Sequence, residues 1–190
     1  LLSLRRRYTG GRLRSDQVQF SANGVIEART APLLAPYAGH GAESGSLNYT
    51  PEDLSARITA LDRQGFQIHV HAIGDRAIRV TLDALANARR ENGHRDARPI
   101  VAHIELFDPA DLVRFRDLGV IASFQPFWAQ ADEYIRDLTL PVLGPARSRW
   151  LYPIETMLNS GAVVVGGSDW SVSSLNPLDA KLRAGHLRLL

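Results

Sequence analysis

The stretch FQIHVHAIGDRA, residues 66–77, sets His69 and His71 two residues apart at the end of an apolar run, with Gly74-Asp75 close behind. Polar residues close four other apolar runs in the same way. Gln19 and Asn23 end VQFSA, His103 and Glu105 end PIVA, Gln125 ends VIASF, and Ser168-Asp169 end AVVVGG. A single strand histidine is more often a hydrogen-bonded core residue than a ligand, but five run ends that agree carry more weight. Two neutral imidazoles and a carboxylate, His71, His103 and Asp169, form a donor set for Zn²⁺, Mn²⁺ or Fe²⁺, with zinc the first choice. Such an ion lowers the pKa of bound water to ~7 and makes hydroxide available at neutral pH. A nearby carboxylate can then move the proton. His69 lies one pleat below His71 on the same face and is read as packing beneath it. Asp75 has two readings, a site carboxylate or the cap of a helix starting at Arg76. Asp169 has two as well, a ligand or a turn residue.

The elements that must position these residues share one grammar. A helical pattern ends at a glycine and a β-branched run follows at once: DLSARITALDRQ before Gly65, DLVRFRDL before Gly119, IETMLNS before Gly161. Glycine there suits the left-handed residue that closes a helix. Thr50-Pro51-Glu52-Asp53 and Asp108-Pro109-Ala110-Asp111 read as helix starts, each with a capping residue, a first-turn proline and an acid. A further helix is expected over 76–91, ending near Gly93. Strands are expected at 18–22, 66–71, 99–104, 120–125 and 162–167. Their apolar character predicts a parallel sheet buried on both faces by helices, with function gathered at the carboxyl ends of the strands. The long loop over 23–49 has the length of a functional loop.

Composition narrows the partners. The 190 residues include 45% hydrophobic and 22% charged, ordinary for a globular chain. Twenty-two basic residues stand against 20 acidic ones, a net +2, which predicts no strong pull toward nucleic acid or membrane. The pI of about 9.3 reflects an excess that is nearly all arginine, since Lys181 is the single lysine. With no cysteine, disulfides and thiolate metal sites are excluded. No apolar run reaches the ~20 residues that span a bilayer. The opening LLSLRRRYTGGRLR places its charge after its apolar piece, the reverse of a secretory signal, so a cytoplasmic location is expected. Residues 1–17 are expected to be a basic, solvated, poorly ordered arm or linker. Residues 18–190 are expected to form one α/β portion.

The stretches NGVIEARTAPLLAPY, HAIGDRAI, VAHIELFDPADLVRFRDLGVIASFQP and GGSDWSV followed by NP resemble the amidohydrolase superfamily, in particular its amidohydrolase-3 branch of YtcJ-like and N-substituted formamide deformylase-like proteins. The resemblance runs from Val18 to Pro177. It implies a TIM-type (β/α)₈ barrel in the parent protein and metal-assisted hydrolysis of an amide-like C–N bond. By position, His71 resembles the metal-binding histidine of barrel strand five and His103 that of strand six. Asp169 resembles the strand-eight aspartate that binds metal and acts as general acid and base. Departures are specific too. No His-x-His pair precedes Val18, and Gln19 stands where relatives often have a lysine that can be carboxylated, which argues against a bridged two-metal site. Ala102 stands where Glu often precedes the strand-six histidine. Phe127-Trp128 follow Gln125-Pro126 where many relatives have histidine, which suggests an apolar substrate wall. The resemblance covers barrel strands four to eight, so the chain is expected to be part of a longer protein.

The leading expectation is a metal-dependent amidohydrolase acting on a small molecule, with Asp169 and His103 in the chemistry and Gln125, Phe127, Trp128 and Trp170 around the substrate. At least one of those three aromatic residues is expected to face the site. A different expectation is a catalytically incomplete piece that works in assembly, as a homo-oligomer or with the missing first half of the same protein. A third, nucleic-acid binding through Arg5–Arg14, lacks interleaved aromatics and predicts strongly salt-dependent retention on polyanions.

Overall fold

A computed structural model describes residues 1–176 and 178–180. Pro177, the end of the family-like stretch, and residues 181–190, with Lys181, lie outside the described residues. Five strands form one parallel sheet in sequence order: β1 (Gln17–Ser21), β2 (Gln67–Ala72), β3 (Ile100–His103), β4 (Ile121–Phe124) and β5 (Val163–Gly166). α-Helices accompany them: α1 (Leu2–Tyr8), α2 (Pro51–Arg63), α3 (Asp75–Asn92), α4 (Leu112–Leu118), α5 (Leu140–Leu143), α6 (Pro145–Ser148) and α7 (Ile154–Asn159).

The helix signals act as their chemistry requires. Thr50 Oγ1 accepts from the Asp53 N–H at 3.1 Å, and Asp108 Oδ1 accepts from the Ala110 N–H at 2.9 Å. Gly65, Gly93, Gly119 and Gly161 all hold positive φ where a helix ends. The short turns α5 and α6 and the π-turn over Ile135–Thr139 were not legible. Pro141, Gly144 and Pro145 interrupt any helical period there, and the anchors are distant. Arg147 donates to the carbonyls of Ala35 at 3.0 Å and Pro36 at 2.8 Å. The N-terminal arm is helical as α1. It carries no buried residue, but Arg5 lies over the Phe66 ring and donates to the Gln64 carbonyl at 2.8 Å.

Burial on both faces does not hold for every strand. Ile68, Val70 and Ala72 of β2 are buried in the core with Leu54 and Ile58 of α2 and Ile78 and Leu82 of α3. The alternate residues Gln67, His69 and His71 are only half-buried. Strand β5 is the most open, with Val163 57% and Val165 40% exposed. The reason is topological. Among the described residues β5 has a strand on one side only, and no strand stands across from the inner face.

The long loop over 23–49 is anchored rather than loose. Asn23 Oδ1 accepts from the Ile73 N–H at 3.1 Å, and the Tyr37 hydroxyl donates to the Ala31 carbonyl at 2.6 Å. The loop also reaches the start of α3. Gly74 has the Pro32 carbonyl oxygen 2.3 Å from where a Cβ would sit, so the close approach requires glycine. Asp75 is the first residue of α3 and not its cap. Its Oδ1 accepts from the N–H groups of Leu34 at 2.9 Å and Arg76 at 2.8 Å. Burial raises its carboxyl pKa, and those two N–H bonds oppose the rise. The GlyAsp pair of HAIGDRA therefore clasps the long loop to the sheet. Replacing Gly74 by alanine is expected to cost about 1–3 kcal/mol by overpacking, seen as a fall in Tm of about 2–4 °C per kcal/mol. An unchanged Tm by circular dichroism would show that the Pro32 segment gives way freely.

Candidate active site

The strand register brings the expected residues to one end of the sheet, with one twist. The inner-face row reads Ser21, His71, Ala102, Ser123, Val165 across the five strands. His103 pairs instead with Ala72, in the row that faces the helices. Strict pleating would thus separate the two histidines. Their rings nonetheless meet edge-on, with centroids 4.3 Å apart. The backbone makes this possible, because His103 and Ile104 adopt φ of +77° and +51°. Left-handed geometry is costly for a β-branched residue such as Ile104 and concentrates at functional sites.

The site is built for neutral imidazoles. The pKa of His103 is lowered to about 3, by burial first and then by the neighbouring His71. Burial likewise lowers His71, while the backbone of Gly24 and Asn23 and the charge of Asp169 oppose that. His69 is lowered by burial and by His71. His69 Nε2, His71 Nε2 and His103 Nδ1 are all buried with no hydrogen-bond partner. Unpaired imidazole nitrogens at the mouth of a sheet offer lone pairs, the state that metal coordination requires. The residues therefore fit a divalent cation. His69, read as packing from its sequence position, carries the same free nitrogen as His71.

Asp169 stands less close than the sequence reading requires. It is exposed, with φ of +54°, and its charge reaches His69 and His71. Among the described residues no three His, Asp or Glu side chains are grouped so as to hold an ion. The expected three-ligand set is a histidine pair with a carboxylate nearby. Asp169 follows the open edge strand β5, which leaves its loop without packing on one side.

The proposed substrate residues divide. Trp128 stacks flat on His103, with ring centroids 5.3 Å apart and an interplanar angle of 8°. Phe127 and Trp128 line a cavity of about 510 Å³. Gln125 is buried, and its side chain favours a proton on His103 although its Oε1 lacks a hydrogen bond of ordinary geometry. Trp170 is 67% exposed. The cavity also reveals Glu27, Glu105, Tyr134 and Tyr152. Of these only Glu105 stood out beforehand, as a polar residue at a strand end. Glu27 and Tyr152 lie in loops and Tyr134 in a short helical turn, none with a periodic signal.

A family model described as the amidohydrolase family matches residues 3–181. The chain belongs to the amidohydrolase family. It is 36% identical over 172 residues to Protein LONG AFTER FAR-RED 3 of Arabidopsis thaliana, an alignment covering 90% of this chain and 28% of that protein. It is 27% identical over 158 residues to "Putative amidohydrolase YtcJ" of Bacillus subtilis (strain 168), covering 83% of this chain and 28% of the relative. The structure of an uncharacterized metal-dependent hydrolase from Pyrococcus furiosus superposes with a TM-score of 0.80 and 28% identity, over 96% of this chain and 37% of that one. The chain thus spans less than a third of either sequence relative. Its five-stranded sheet is part of an amidohydrolase-type barrel.

The buried histidines carry a pH signature. In the metal-free chain His103 takes up a proton only near pH 3, whereas the unfolded chain does so near 6.5. The unfolded state therefore binds more protons between those values, and acid favours unfolding. The contribution is whole above 6.5 and is lost as pH falls toward about 3. Denaturant midpoints of the chelator-treated chain are expected to fall across this window, less steeply in His103→Gln. Parallel slopes would show that His103 is not the group responsible.

Proposed function

We propose that this chain contributes the catalytic end of a metal-dependent amidohydrolase that cleaves an amide-like C–N bond of a small molecule. The observation that carries the reading is the His71–His103 pair, with rings in contact and one buried nitrogen on each left without a partner. His71 Nε2 and His103 Nδ1 would hold the ion. Zinc is the first choice, since imidazole and carboxylate donors suit a borderline cation. A divalent ion bound there supplies Lewis acidity and a water whose pKa falls to ~7.

The chain's own residues do the rest. Asp169 accepts a proton from the attacking water at its carboxylate and returns it to the departing nitrogen. Its exposure at the mouth of the sheet leaves it free to meet both groups. Trp128 covers one face of His103, keeping water from the ring and fixing its plane. Gln125, Phe127 and Trp128 form the substrate wall, and Trp170 joins it when the loop after β5 is covered.

A second reading is favoured by the open flank of β5. On it, the chain completes its site only beside further barrel strands, from the same protein or from another copy. Elemental analysis of the purified chain after zinc loading and removal of loose ion separates the two. About one metal per chain, lost in His71→Ala, supports the first reading. Hydrolysis of simple N-acyl amines should then fall about 10²–10⁴-fold in Asp169→Ala. No bound metal and no hydrolysis would assign activity only to the assembled barrel.

A further inference from the structure

The cavity beside the histidines has a composition of its own. Glu27, Glu105 and Asp132 contribute carboxyl groups, while Phe127, Trp128, Tyr134 and Tyr152 contribute rings. Among the described residues that line it there is no arginine, lysine or histidine. This is notable in a chain of net charge +2, where acids elsewhere are matched by arginines, as Asp111 is by Arg79 and Arg114.

Glu105 is the centre of this arrangement. It is 4% exposed, yet its Oε1 has no hydrogen-bond partner. Backbone pairing holds it in place. The Tyr152 N–H donates to the Glu105 carbonyl at 2.8 Å, and the Phe107 N–H to the Trp150 carbonyl at 3.2 Å. An isolated β-bridge between Leu106 and Leu151 thus brings Tyr152 and Glu105 into one wall. Glu27 comes from the long loop and is steadied by the Thr139 hydroxyl, which donates to its Oε1 at 2.5 Å. A buried carboxyl oxygen without a partner is costly unless something supplies the missing hydrogen bond.

We propose that this cavity is a subsite for an organic cation, an alkylammonium group that donates to Glu105 Oε1 and lies against the rings of Trp128 and Tyr152. Aromatic faces attract a desolvated cation, and a carboxyl pair fixes its position. The volume, about 510 Å³, falls within the range of small-molecule pockets, roughly 300–1,000 Å³. An inorganic ion fits less well, because four rings and four aliphatic side chains interrupt the oxygens of the wall. Trp128 joins the subsite to the histidine pair, since it stacks on His103 and lines the cavity. The cation is then the charged end of the substrate, a step that rests on the hydrolase reading, whereas the cavity's selectivity does not.

The test is calorimetric titration of the full chain at neutral pH with butylammonium, 1-butanol, butyrate and calcium. Butylammonium should bind at least about tenfold more tightly than 1-butanol, with butyrate weaker still, since a desolvated cation–carboxyl contact is worth more than a tenfold factor. Glu105→Gln should remove most of that preference, and the more exposed Glu27→Gln should reduce it. Equal binding of butanol and butylammonium would overturn the proposal, as would calcium binding more tightly than the amine. If Glu105→Gln does not fold, the amine-to-alcohol ratio of the wild-type chain and the Glu27→Gln result decide alone. Selective amine binding without any hydrolysis of N-acyl amines by this chain would keep the subsite and assign hydrolysis to the assembled barrel alone.

Discussion

The left-handed turn of backbone at His103 and Ile104 is the constraint on which the rest of the site depends. Without it, pleating would send the His103 ring toward the helices, into the row of Ala72. With it, His103 meets His71, takes Trp128 on one face and leaves Nδ1 unpartnered. The same turn redirects the chain so that Glu105 enters the cavity and bridges to Tyr152 through backbone pairing. A strained segment of two residues therefore couples a donor pair to a binding wall. Its cost, on the order of 1–3 kcal/mol per residue, is offset by burial of Ile104 itself and of Leu106 and Phe107 beside it.

The supports around this turn share a logic of short, directed contacts. Asn23 ties the end of β1 to the end of β2, and Asp75 ties the long loop to α3. Gly74 permits the approach of Pro32 that makes the second tie possible. Asp111, with a nearly buried side chain, bonds Arg79 of α3 and Arg114 of α4 at 3.0 and 2.9 Å. Apart from the local Asp111–Arg114 pair, these contacts join segments distant in sequence, so the loops at the carboxyl ends of the strands hold their shape. Membership of the amidohydrolase family accounts for the common frame.

Electrostatics divides the functional end into two neighbouring environments. The histidine side is neutral because burial disfavours imidazolium. The cavity side is rich in carboxyl groups, and burial raises Glu105 well above the usual carboxylate range, with Glu27 adding to the rise. Tyr152 is raised for the same reasons, by burial first and then by Glu105. Trp128 separates the two and touches both.

The sequence by itself determined the order of elements, their parallel pairing and the polar residues at the strand ends. Helix caps, closing glycines and apolar runs act over a few residues, so they are legible in a linear string. It also carried the family, through HAIGDRA and GGSDWSV. Tertiary structure alone decided three things. It gave His69 the same free nitrogen as His71, it held Asp169 apart on an open edge, and it gathered Glu27, Glu105, Tyr134 and Tyr152 around one cavity. Those outcomes depend on left-handed backbone, edge position and contacts between segments more than 40 residues apart, none of which leaves a local pattern.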